Sequence, residues 1–128
     1  MENINVSSEK GGILLLTFVG EINDTTDINV LRSDVNTVST AIKNLHKEQS
    51  KKIKVLIDIV SFKAQYVSEA VDVLVELARG DKELVEKTAV FGGSDKVRII
   101  GETIVVLSSR TNIKFFETKP EALSWLNS

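Results

Sequence analysis

Side chains that could do chemistry sit at few positions in this chain of 128 residues. The single histidine, His46, lies beside Lys47 and Glu48 at the polar end of a helical stretch. No serine or cysteine can be placed next to it from the sequence, so it reads as a surface residue. The run Gly92-Gly93-Ser94-Asp95-Lys96 has the glycines and helix start that suit an anion. It matches neither the G-x-x-x-x-G-K-[ST] nor the G-x-G-x-x-G pattern, and a strand-to-helix turn explains the same residues. Asp58 interrupts the apolar run "VLIDIV". A carboxylate there can face a ligand beyond the strand ends of an open α/β sheet, or it can cap backbone N–H groups of the next loop. Ser68 stands where a very apolar helix begins, as its N-cap or as a hydroxyl open to modification. No pair of carboxylates is spaced as an acid–base couple. There are no cysteines, which removes disulfides, thiol catalysis and zinc–thiolate sites together. No enzyme, cofactor or metal centre is expected.

The elements that must position these residues follow from periodicity. "INV" and "ILLLTFV" flank "SSEKGG" and read as a hairpin, with Gly11-Gly12 supplying the turn. Ile28, Leu31, Val35, Val38, Ile42 and Leu45 recur at spacings of 3, 4, 3, 4 and 3 among polar residues. That is an amphipathic helix lying on a sheet, capped within "NDTTD". "KVLIDIV" is apolar on both parities, as a strand covered on both faces would be. A helix from Ser68 to about Arg79, a ragged turn over "DKELVEK" and a buried strand "TAVFGG" come next. A helix capped by Ser94 or Asp95 and the strand "IKFFE" follow. The last helix has Thr118 as cap, Pro120 in its first turn and Glu121 closing a capping box. The order β-β-α-β-α-β-α-β-α predicts one α/β domain over residues 1–128. Its sheet is mostly parallel, with an antiparallel N-terminal edge strand and helices packed on it.

Bulk properties narrow the function. The chain is 42% hydrophobic and 27% charged, an ordinary globular balance. A net charge of −2 gives no concentrated basic face, and nucleic acid is not an expected partner. The start "MENINVSSEKGG" has no secretion-signal pattern, and the run "ILLLTFVG" is too short to span a bilayer, so the cytoplasm is the expected compartment.

In "AVDVLVELA" seven of nine residues are apolar, more than a helix on one sheet face needs, and "VRIIGETIVVL" is similarly broad. Such helices either bury each other's flanks, meet a partner (a second copy of the chain included), or line a site for a small apolar, lipid-like ligand. The loop "SFKAQY" before them adds Phe62 and Tyr66, residue types that anchor interfaces.

This order, with "VLIDIVSF…SEAVDVL" and the ending "IKFFETKPEALSWL", resembles the STAS domain, and within it the SpoIIAA-like group of anti-sigma-factor antagonists. The likeness is most specific at Ala122, Leu123, Trp125 and Leu126. It implies a non-enzymatic regulator that meets a protein partner, an anti-sigma-factor-like kinase, through the loop after the central strand and the helix that follows. It places the phosphoacceptor at Ser68 and the partner surface at Asp58, Ser61, Phe62, Lys63, Tyr66 and Glu69. Where the family carries Asp-Ser-Ser-Gly, this chain carries Tyr66-Val67-Ser68-Glu69.

Overall fold

A computed structural model describes residues 3–128. Strands β1 (Ile4–Glu9) and β2 (Ile13–Phe18) form the expected hairpin, paired antiparallel from Ile4 opposite Phe18 to Glu9 opposite Ile13. Gly11 and Gly12 make its turn with φ of 87° and 73°, which side-chain-bearing residues rarely adopt. The chain then runs through β3 (Glu21–Ile22), α1 (Ile28–Gln49), β4 (Ile53–Asp58), β5 (Lys63–Ala64) and α2 (Ser68–Gly80). A short 3-10 turn leads into β6 (Val85–Phe91), α3 (Asp95–Ser108), β7 (Ile113–Phe116) and α4 (Lys119–Leu126). The main sheet has the order β1-β2-β4-β6-β7, parallel throughout apart from the first hairpin.

The apolar strand residues alternate between two cores. Leu14, Leu16, Val55 and Val90 face α1, α2 and α3, which contribute Leu31, Val38, Val73 and Val97. Ile13, Leu56, Ala89 and Phe91 face the other way, onto Ala122 and Leu126 of α4. Both faces of the central strands are therefore covered, as their unbroken apolar runs require. The stripe on α1 points inward as its spacing dictates. It also carries Asp34, a buried carboxylate that accepts the backbone N–H of Asn3 at 2.7 Å and so fastens the start of β1 to the helix.

Two stretches differ from the sequence expectation. The turn expected over "DKELVEK" shortens to Lys82–Leu84, and β6 begins at Val85. Glu86 and Lys87 disguise that strand, but Lys87 reaches over the Trp125 ring, 5.0 Å from its centroid, and donates to the Trp125 carbonyl at 3.0 Å. The loop between β4 and α2 is not wholly irregular, because β5 pairs in parallel with β3.

Candidate functional site

The site is built at the carboxyl ends of the parallel strands. Asp58 closes β4, and its Oδ1 accepts the Val60 N–H at 2.9 Å, so the carboxylate holds the turn that leaves the strand. Phe62 comes next, and it points inward. It is 7% exposed, and its ring meets that of Phe18 edge-on at 5.3 Å. Placed on the partner surface by the resemblance, Phe62 is instead the plug that seats the loop on the core. Gly20 and Ile22 carbonyls accept the N–H groups of Lys63 and Gln65 at 3.0 and 2.8 Å, so the β3–β5 ladder clamps the loop from the other side.

With Phe62 inside, the residues left on the surface are Val60, Ser61, Lys63, Gln65, Tyr66, Ser68 and Glu69. Val60 is 62% exposed and Tyr66 58%, the two large apolar groups of this edge. Val60 is supported from below by the loop after β6. A Cβ on Gly92 would come within 2.4 Å of the Val60 Cγ2, and Gly92 has a φ of 81°, so glycine alone fits there. Val60 was missed by sequence reasoning because it reads as one more residue of an apolar run.

Ser68 is the first residue of α2 and not its cap. The cap position is Val67, extended at φ −123° and ψ 112°, with no side chain to accept an N–H. The first turn of α2 therefore lacks side-chain capping, while Asp27, Ser94 and Thr118 cap the other three helices. Thr118 accepts the Glu121 N–H at 3.5 Å and donates to its carboxylate at 2.8 Å. The exposed Ser68 hydroxyl thus stands at the positive end of an uncapped helix, with Glu69 beside it.

The apolar excess of α2 is absorbed within the fold. Ala70, Val71, Val73 and Val75 are buried. On α3 it is not, since Ile99, Val106 and Leu107 are 62%, 76% and 47% exposed. Between these helices and the sheet lies an apolar cavity of about 150 Å³, walled by residues such as Leu77, Ile104, Val105 and Phe115. Its polar groups are Asp81, Thr88 and Arg110, at the opposite end of the strands from Ser68. Arg110 donates to Asn112 Oδ1 at 2.8 Å, and to the Ala78 carbonyl and Thr88 Oγ1 at 3.1 Å. Burial pushes the guanidinium below its usual range. These residues were also missed, because "RTN" before a strand looks like ordinary turn chemistry. No group of three or more potential metal-ligating side chains comes together among the described residues.

A family model described as SpoIIAA-like matches residues 13–127. The chain belongs to the SpoIIAA-like family. Solved structures share its fold, three of them as follows. The anti-sigma factor antagonist SpoIIAA in its unphosphorylated form is 13% identical, with a TM-score of 0.64 over 97% of this chain and 96% of that one. A DUF3478-family protein of SpoIIAA-like fold from Shewanella loihica PV-4 is 18% identical, with a TM-score of 0.63 over 96% and 91%. An anti-sigma factor antagonist from Mycobacterium paratuberculosis is 16% identical, with a TM-score of 0.60 over 98% and 93%. No curated protein matches by sequence. The mostly parallel sheet with its antiparallel β1–β2 edge is the fold of this family. No helix among the described residues is long and apolar enough to cross a membrane.

Proposed function

We propose that this SpoIIAA-like chain is a non-enzymatic regulatory module of the cytoplasm that docks a protein partner on the edge formed by Val60, Tyr66 and the start of α2. The observation that carries the reading is the pairing of two exposed apolar side chains with a firmly held backbone. The Phe62 plug and the β3–β5 ladder fix a loop whose outward groups do nothing for the fold. A pre-ordered loop loses little entropy on binding, and an exposed tyrosine is the usual anchor of such a contact. Two of the structural neighbours are anti-sigma factor antagonists, which supports a protein as the partner, in the first place an anti-sigma-factor-like kinase.

Ser68 is the proposed switch. A phosphate there would carry close to two negative charges. It would gain from the uncapped N–H groups of α2, and it would add to Glu69 to repel an acidic or apolar partner surface. The test is site-specific photo-crosslinking from position 66 in native lysate, with position 43 on the outer face of α1 as control. A discrete adduct from position 66 alone supports the reading. Equal adducts from both, or an adduct only with a second copy of the chain, contradict it.

The cavity favours a second reading, a binding site for a small apolar ligand between the sheet and α2–α3. Saturable binding of toluene, followed by methyl NMR at Ile104 and Val105, tests it.

A further inference from the structure

The cavity is apolar except at one end, where two groups of opposite charge meet it. Asp81 is the anomaly. It is 7% exposed, yet among the described residues its carboxylate takes part in no hydrogen bond and no ion pair. Its oxygens still meet solvent, since Arg98 Nε is the one fully buried side-chain polar atom without a partner among the described residues, so the carboxylate is open to a donor from outside the chain. Arg110 is the complement. Its three nitrogens donate only to neutral acceptors, so no carboxylate among the described residues pairs with it. A guanidinium has five N–H groups, and those three bonds leave two for a further acceptor. Arg110 and Val85 also line an adjoining polar cleft, which gives the charged end a way to solvent.

From this juxtaposition we infer that the cavity binds an apolar α-amino acid, its ammonium on Asp81, its carboxylate on Arg110 and its side chain among Leu77, Ile104, Val105 and Phe115. The site charges sum to zero, which matches a zwitterion better than a lone anion or cation. A simple carboxylate would have to face Asp81, and a simple amine would have to face Arg110. Size points the same way. Roughly 150 Å³ of apolar cavity holds a benzene ring, so a benzyl or isobutyl side chain fits and a long acyl chain does not. Thr88 Oγ1, already bonded to Arg110, fixes the guanidinium in place.

The inference rests on the second reading, that the cavity takes a ligand, and the experiment separates the two. Full-length protein is titrated with L-phenylalanine, L-leucine, 3-phenylpropanoate, phenethylamine and toluene, followed by calorimetry and methyl NMR. Saturable binding of L-phenylalanine or L-leucine is expected, with shifts at Ile104 and Val105. The two phenyl analogues, each lacking one charged group, should bind at least tenfold more weakly than L-phenylalanine. Asp81→Asn keeps the side-chain shape and should weaken the amino acid at least tenfold while leaving toluene unchanged. Toluene binding without amino-acid binding, or equal affinity for the analogues, overturns the inference and leaves the cavity reading standing. If toluene also fails to bind, both fall.

Discussion

Phe62 and Tyr66 are four residues apart and have opposite jobs. Phe62 fills the space against Phe18, and Tyr66 stands in water. Truncating a buried phenylalanine costs about 3–5 kcal/mol, so Phe62→Ala should lower stability by that order in urea denaturation. Tyr66→Ala should change stability by less than about 0.5 kcal/mol and still abolish the partner contact, measured by capture from lysate. The same pair shows where sequence reasoning stops. Both are aromatic, both lie in one loop, and only the position of Phe18 across the sheet decides which turns inward. Asp34 is a similar case. It sits on the face of α1 that the spacing assigns to the core, and nothing local reveals that the Asn3 N–H waits for it.

At the scale of elements, what was legible was whatever obeys a period. The stripe of α1, the two-parity strand β4 and the Thr118 start of α4 are each set by local chemistry. The β3–β5 ladder is two residues from each strand and has no period to detect. The cap of α2 was misread for a related reason: a serine before an apolar run has the composition of a cap, but the backbone is already helical at Ser68, one residue earlier than a cap there requires. Val67→Thr nearly preserves shape and supplies the missing hydroxyl acceptor, so it should stabilise the protein by about 0.5–1 kcal/mol in the same denaturation assay. Gly92→Ala should cost more than about 1 kcal/mol, because the new Cβ meets Val60 and the φ of 81° disfavours alanine. The partner contact should weaken with it, since Val60 must move.

Across the whole molecule, stability should be uneven. Helix α1 buries Leu31, Asp34, Val38 and Ile42, whereas α3 buries only Val97 and Ser108 and lies over the cavity. Amide hydrogen exchange should therefore open α3 at a lower free energy than α1 and the central strands β4 and β6. Helix α2 spans the distance between the two proposed sites, with Ser68 at its start and Ala78 beside Arg110 near its end, about 20 Å for 13 residues. The family fold accounts for the frame, and the proposed function rests on the edge bearing Tyr66 and Ser68. The most direct measurement is a quantitative pull-down from native lysate with wild type, Ser68→Ala and Ser68→Asp, with intact mass recorded on the wild-type protein. The expected result is a protein partner held by wild type and Ser68→Ala and lost from Ser68→Asp, with a single added phosphate on a fraction of the wild type. If all three variants hold the same proteins and no phosphate is found, the edge at Ser68 is not a switch and the central claim fails.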